Sequence, residues 1–387
     1  MTAIPPTEFE RRHAALRAAA SDAGFDAILA FSNAKTQANV RWLTNYYTRF
    51  AGWQHVAGDE YAMFGSCACL VPVDGEPMVR SDQTWDAPRV KEVSVFPDAG
   101  STVSLGADFG KVIAERGYER VGIDNWHIFP VEHYLRLKHA APGTEIVDTR
   151  LISEVRRVKS PVEIELIRKV EEIADAAVVA GMEEVRPGVT EYEPALAAEA
   201  KMRELGDLEP GGNSIIGSTV NLATGVCLPR RDKVLERGEW MMFDVLPRYE
   251  GYCGDIARMR LVGEMSDLDL TLKHYFEATL LMNREVIKAI KPGVSTGELN
   301  DLCNEIAEQE GVAEYKSPLL GHATGLDIHD IPDFWNDRSP LQVGEVITIE
   351  PCLGIPGVAG TRIEDVVLIT EDGCDVLTKT PRELLPT

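Results

Sequence analysis

Apolar residues in the first 150 positions come in two textures. FDAILAF (25–31) and CACLVPV (67–73) are short apolar runs that fit strands, whereas FERRHAALRAAASDAG (9–24) reads as a helix that ends at a glycine. Such alternation predicts an α/β domain. Near residue 150 the texture changes, and RLISEVRRVKSPVEIELIRKVEEIADAAVVAGMEEV (150–185) opens a long helix. Ser160, Pro161 and Glu163 supply a capping box with proline in the first turn. The expected division is therefore 1–150 and 151–387, in keeping with a chain too long for one ordinary core.

The second part repeats itself. RPGVTEYE (186–193) returns as KPGVSTGE (291–298), each after a helical stretch and each with Thr or Ser three residues before a glutamate. LERGEWMMFD (235–244) returns as LQVGEVITIE (341–350), where a Gly-Glu turn leads into an apolar strand that ends on Asp244 or Glu350. IIGST (215–219) echoes LLGHA (319–323) and pairs Ser218 with His322. Two copies about one hundred residues long are too few for a solenoid, so they are expected to pack as pseudo-symmetric halves with matching strand ends face to face.

The balance of 39 basic against 62 acidic residues gives a formal charge of −23, which repels phosphate backbones and anionic lipid; no nucleic-acid or membrane partner is expected. The N-terminal MTAIPPTEFERRHAALRAAA lacks a signal-peptide core, and no long apolar span occurs, so a cytoplasmic location is expected. Seven cysteines, none in a CxxC pair, read as reduced structural thiols.

Candidate chemistry gathers where the copies meet. Facing strand ends bring Asp244 and Glu350 together, and the following segments add Asp255 (GYCGDIARM) and Glu364 (TRIEDVV). Four crowded carboxylates repel one another unless a cation sits among them. In GHATGLDIHD (321–330), Gly321 and Gly325 argue for an irregular segment carrying His322 and His329. Oxygen-rich ligands with one imidazole suit manganese, iron, cobalt or zinc, and four acids with a histidine suit two ions, the machinery of an amide hydrolase.

These words, GHATGLDIHDIP, TIEP and TRIED, with two aspartates eleven residues apart, resemble the pita-bread metallopeptidases, which include Xaa-Pro aminopeptidase, prolidase and methionine aminopeptidase. The resemblance spans nearly the whole chain. It implies an N-terminal creatinase-like α/β domain, in which NVRWLTNY (39–46) is similar to the usual strand entry, and a C-terminal pseudo-two-fold pita-bread (α+β) catalytic domain. It also implies that Asp244 serves one metal, that Asp255 and Glu364 bridge, and that His322 and Glu350 serve the other. Glu350 would double as proton shuttle, His329 would touch substrate and the developing oxyanion, and Arg362 would orient substrate. The implied substrate is a short peptide, most directly Xaa-Pro, cleaved by a metal-bridged hydroxide, and the implied assembly is a homodimer. Two divalent ions, with manganese first and iron, cobalt or zinc as alternatives, are the expected cofactors.

The sequence departs from that pattern at Cys227, which stands seventeen residues before Asp244 where a histidine is usual. A thiol cannot replace an imidazole as a cation, so a non-peptide amide stays open, as does a small-molecule C–N hydrolase or lyase on the same fold. Cys227 is itself a candidate substrate contact, though a buried small hydrophobe is the plainer reading. The lyase pattern would need an aspartate at Leu246. A non-catalytic peptide-binding module is a third reading, opposed by retention of all five ligands, since unpaired buried carboxylates are costly. TRFAGWQHVAGDEYAMF (48–64) reads as a loop, in which Trp53 and His55 are candidate substrate contacts.

Overall fold

FDAILAF forms most of strand β1 (Ala27–Asn33), whose residues are buried on both faces, which explains the absence of a polar alternation along Ala27–Phe31. This computed structural model describes residues 4–387 except 51, 56–60 and 336, with the backbone alone for 52–55 and 61–64. The chain divides into units Met1–Arg156 and Arg157–Thr387.

In the first unit, helix α1 (Pro6–Asp22) precedes β1, and helix α2 (Ala38–Thr44) follows it. A ribbon of β2 (Gly52–His55) and β3 (Tyr61–Phe64) then leads to β4 (Ser66–Pro72), β5 (Met78–Ser81), α3 (Ala87–Val93), β6 (Asp98–Ser101), α4 (Leu105–Glu115), β7 (Arg120–Asp124), α5 (Val131–Ala140), β8 (Glu145–Thr149) and α6 (Leu151–Arg156). The sheet runs β6-β5-β4-β1-β7-β8, with β1 antiparallel to β4 and parallel to β7. Ala27, Leu29 and Phe31 share a face of β1 and join Phe109, Ile113 and Leu137 in one core.

Two sequence expectations change here. NVRWLTNY is not a strand entry: residues 38–44 form α2, all buried, ended by Asn45 in the left-handed region at φ 65. A short apolar run carries no period that separates a buried helix from a strand, and an asparagine able to take positive φ provides the C-terminal stop. The expected loop at 48–64 contains the paired ribbon β2–β3, with Gly52 opposite Phe64 and His55 opposite Tyr61. Its aromatic density is that of strands.

Asp82 follows β5 and is buried. Its Oδ1 accepts the backbone N–H groups of Gly65 (3.0 Å) and Ser66 (3.1 Å), while Oδ2 has no hydrogen-bond partner among the described residues. Burial pushes its pKa up to about 7, against the pull of those N–H groups. Between the ordinary carboxyl pKa of about 4 and that folded value, the native state holds a proton that the unfolded chain has lost. This carboxyl's contribution to stability is therefore complete below pH ~4 and lost as pH rises to 7. Asp82→Asn keeps the acceptor and removes the titration, so denaturant melts at pH 5 and pH 8 are expected to show the variant gaining on the wild type at the higher pH. An equal difference at both would refute the assignment.

In the second unit the capping box is present at Ser160 and Glu163, and it opens α7 (Pro161–Glu183). Helix α8 (Tyr192–Leu205) follows, then β9 (Ile215–Ser218), β10 (Trp240–Val245), the ribbon β11 (Arg248–Tyr249) and β12 (Tyr252–Cys253), and β13 (Ile256–Leu261). The second half repeats this with α9 (Leu270–Ala289), α10 (Thr296–Gln309), β14 (His322–Ala323), β15 (Asp330–Asp333), β16 (Val346–Ile349), the ribbon β17 (Cys352–Ile355) and β18 (Ala359–Arg362), β19 (Asp365–Ile369) and β20 (Cys374–Val376). The sheets run β13-β10-β9 and β15-β14-β16-β19-β20, so β10 and β16 are equivalent central strands. Phe243, Val245 and Ile256 pack with α7 and α8 residues, and Ile347, Ile349 and Val367 with those of α9 and α10.

The repeated words touch each other inside each half. The Gly188 N–H donates to the Leu235 carbonyl (3.0 Å) and the Leu235 N–H to that of Val189 (2.8 Å); Gly293, Leu341 and Val294 repeat both bonds at 2.9 Å. The helix caps have diverged. Ser295 and Glu298 form a full capping box, whereas Thr190 only donates, through its N–H and hydroxyl, to Glu193. No helix among the described residues is long and apolar enough to cross a membrane.

Candidate functional site

Each half delivers two acids from one antiparallel pair. Asp244 on β10 lies opposite Ala257 on β13, and Asp255 immediately precedes β13. Ile349 on β16 lies opposite Asp365 on β19, which sets Glu350 and Glu364 side by side just beyond the ladder. The halves are joined there by an isolated bridge, in which the Glu364 N–H donates to the Ala257 carbonyl at 3.1 Å. His322 enters from β14, and its N–H is held by Thr348 Oγ1 at 3.2 Å.

Asp244, Asp255, His322, Glu350 and Glu364 all retain less than 5% of their exposure. His322 Nε2 is 3.3 Å from Glu350 Oε1 and 3.6 Å from Asp255 Oδ2. Its Nδ1 lies 3.1 Å from the Ala323 carbonyl oxygen, so a neutral ring donates there and turns the Nε2 lone pair toward the acids. A cation or a proton between them completes that arrangement. Asp255, His322 and Glu364 each offer one ligand atom, all within 4.8 Å of one another. Asp255 Oδ1 and Glu364 Oε1 are buried without a hydrogen bond among the described residues. Orphaned carboxylate oxygens facing an imidazole lone pair fit a divalent cation.

Electrostatics points the same way. Burial, and then the neighbouring carboxylates, push Asp255 and Glu364 well above the usual carboxylate range. Burial lifts Asp244 to about 6 although Arg362 opposes it. Burial also works against Glu350, yet His322 and Arg362 hold it below its ordinary value. Arg362 Nη1 donates to Asp244 Oδ2 and lies 3.6 Å from Glu350 Oε2. Its Nη2 donates to the Gly225 carbonyl at 3.2 Å.

His329 stacks on His322, with ring centroids 3.8 Å apart at 20° and its outer side exposed. Shielding from solvent, with Arg362 and, whenever its ring is protonated, His322 acting in the same direction, brings its pKa to about 4, so it is neutral near pH 7. The Cys227 thiol is buried, and burial followed by the charges of Glu191 and Asp244 pushes it up to about 12; it is a neutral thiol, not a nucleophile. Trp53 and His55 belong to β2, whose side chains lie outside the described residues.

Sequence reasoning missed several partners. Glu171 on α7 is completely buried, and its Oε2 accepts the Asp255 N–H at 3.4 Å. Its signal was a charge on a helix face otherwise made of Ile167, Val170, Ala174 and Val178. Arg258 is also buried, and it donates to the Glu364 carbonyl and to Asp365 Oδ1 (2.7 Å). Strand alternation turns Arg258 and Asp365 to the face opposite Ala257 and Glu364. Cys253 precedes Asp255 closely, and its N–H donates to the Gly325 carbonyl at 2.7 Å, fastening the histidine-bearing segment to the first half.

Residues 165–371 match the profile of metallopeptidase family M24. The chain belongs to that family. Residues 12–158 match the creatinase/prolidase N-terminal domain, so this M24 member joins a creatinase-type domain to a pita-bread domain. It is 40% identical over 238 residues to the Xaa-Pro dipeptidase of Pyrococcus furiosus, covering 61% of this chain and 67% of that one. Identity to the Xaa-Pro dipeptidase of Pyrococcus horikoshii is 38% over 275 residues, covering 70% and 76%. The crystal structure of the prolidase from Pyrococcus horikoshii OT3 superposes with a TM-score of 0.82 at 30% identity, over 97% of this chain and 99% of that one. As an M24 metallopeptidase the protein is a peptidase, and its family implies divalent metal ions.

Proposed function

We propose that this M24 peptidase is a dinuclear-metal-dependent hydrolase of Xaa-Pro peptides, with manganese as its metal, working in the cytoplasm as a homodimer. Residues 1–150 form its creatinase-like domain and 151–387 its hydrolase domain. The observation that carries the reading is the cluster of Asp255, His322 and Glu364, with ligand atoms within 4.8 Å of one another, Glu350 beside His322, Asp244 and Glu350 on the same Arg362, and carboxylate oxygens that lack hydrogen bonds among the described residues. The names of the two Pyrococcus relatives support the substrate.

In this reading Asp244, Asp255, His322, Glu350 and Glu364 would be the ligands, with Asp255 and Glu364 the pair shared between ions. Bound divalent ions supply a Lewis acid for the scissile carbonyl and lower the pKa of water. Glu350 stays ionised beside His322 and Arg362, so its carboxylate can take a proton from water and return it to the leaving nitrogen. His329, neutral and open to solvent on one side, can donate to the oxygen on which charge develops. Arg362, anchored on Asp244 and the Gly225 carbonyl, holds a fixed guanidinium for substrate. Cys227 leaves this pocket without the cation that an imidazole there could supply.

The test is metal analysis followed by a screen of Xaa-Pro dipeptides with added manganese. Two ions per chain with cleavage of the bond before proline is the expected result. Two ions without peptide cleavage would transfer the reading to a small amide, and failure to take up metal under any condition would remove it.

A further inference from the structure

Glu191 is a buried carboxylate outside the cluster just described, with 0% exposure at the start of α8. Its Oε1 accepts the N–H (2.8 Å) and the hydroxyl (2.6 Å) of Ser218, and its Oε2 accepts Asn221 Nδ2 (3.0 Å) and the Arg230 N–H (2.9 Å). Four donors converge on one charge, which offsets its desolvation and makes these bonds strong. Three of the donors belong to Ser218, at the end of β9, and Asn221, just inside the following turn; the fourth closes the segment at Arg230. Residues 219–230 are thus pinned at both ends by one side chain.

That segment is the wall against which Arg362 rests. Its 3-10 turn, Thr219–Thr224, lies on the ribbon β17–β18 so closely that a Cβ at Gly354 would sit 2.8 Å from the Ala223 carbonyl oxygen, and one at Gly360 would collide with the Leu222 carbonyl. Gly225 ends the turn at φ 78, a conformation that suits glycine, and its carbonyl accepts Arg362 Nη2. Arg362 Nη1 is on Asp244. If the segment moved, the guanidinium would keep its carboxylate and lose the carbonyl that fixes its direction.

We propose that Glu191 is a positioning residue for Arg362, acting through the segment 219–230. The pseudo-symmetry shows what was specialised. Glu191 occupies the place of Thr296 in the second half, whose hydroxyl donates to the Asp337 carbonyl, and its partner Ser218 occupies the place of His322. The first half uses that strand end to hold a wall, and the second uses it to present an imidazole. The proposal rests on the substrate-orienting role given to Arg362 above.

Glu191→Gln is the direct test, because an amide NH₂ turned toward donors cannot accept from them. KM for an Xaa-Pro dipeptide is expected to rise about tenfold, the value of one lost hydrogen bond to charge, with kcat changed by less than about threefold and metal content unchanged. In an Arg362→Lys background the same change should add almost nothing. Hydrogen exchange should quicken at 219–230 and at Arg362 while α9 and α10 stay protected. Asn221→Ala, which removes one of the four bonds, should move each readout the same way by less, and it replaces Glu191→Gln should that variant not fold. Unaltered exchange at 219–230, or a KM effect undiminished in the Arg362→Lys background, overturns the proposal. A wild type that cleaves no Xaa-Pro peptide but whose variant shows the exchange change would remove the substrate reading and leave the anchoring intact.

Discussion

Asp255→Asn is expected to lower kcat/KM by about a thousandfold or more, roughly 4 kcal/mol of transition-state stabilisation, while making the metal-free protein more stable. Both effects follow from the same carboxylate. Asparagine has the shape of aspartate and keeps the backbone N–H on Glu171, but it brings neither the charge nor the full lone-pair set that a divalent ion needs. Without metal, Asp255 is a buried acid held protonated by burial and by Asp244, Glu350 and Glu171. A carboxyl whose folded pKa is raised has its stability contribution complete near pH 4 and loses about 1.4 kcal/mol per pH unit above it, until the folded pKa is reached. The amide has no such slope. Kinetics with saturating manganese, and thermal melts in chelator at pH 5 and pH 8, read the two effects separately; His322→Ala should match the kinetic loss. Full turnover in either variant would dismiss the assigned centre, and an apo variant no more stable than wild type at pH 8 would dismiss the electrostatic account.

Removing divalent ions should abolish hydrolysis and lower Tm by an amount that grows with pH. Protons and cations compete for the same oxygens: burial lifts Asp244 to about 6 in the metal-free fold, and burial with the neighbouring carboxylates pushes Asp255 and Glu364 well above the ordinary carboxylate range. As pH falls from 8 toward 5, the apoprotein gains protons that relieve repulsion and grows more stable, while metal affinity declines. An ion at a hundred times its Kd adds about 2.7 kcal/mol, and that increment should dwindle below pH 6. Calorimetry with and without chelator across this range checks it. A metal-induced shift in Tm that stays constant from pH 5.5 to 8 would mean that these carboxyls do not hold the ion.

The duplication was the most legible feature of the chain, because its words recur at equivalent places and bond to one another, Gly188 with Leu235 and Gly293 with Leu341. From it followed the proximity of Asp244, Asp255, Glu350 and Glu364, since a carboxylate at the end of a central strand has only one neighbourhood once the halves are paired. What escaped depended on contacts that no local pattern encodes. Helix α2 reads as a strand because its seven residues are too few to show a helical period and are buried on every side, and only Asn45 at positive φ hints otherwise. Glu191 resembles any acid beside a helix cap until Ser218, Asn221 and Arg230 arrive from up to thirty-nine residues away. The charges of Arg258 and Asp365 look like strand-end solvation, yet they pair at 2.7 Å in the interior. Buried polar networks are specified jointly by distant segments, so single-chain periodicity sees their members one at a time.

The joining of two similar halves in one polypeptide also frees the site from symmetry. Were the halves identical subunits, every change on one side would be copied on the other, and the position of His322 could not be histidine in one and serine in its counterpart. Fusion uncouples them. His322 faces the acids while Ser218 is bound to Glu191, so in the dinuclear reading proposed above the two ion positions would be chemically different addresses. Ancestral strand ends that once matched could thus drift into a polarised pair, one side richer in nitrogen and one in oxygen, without any partner copy having to follow.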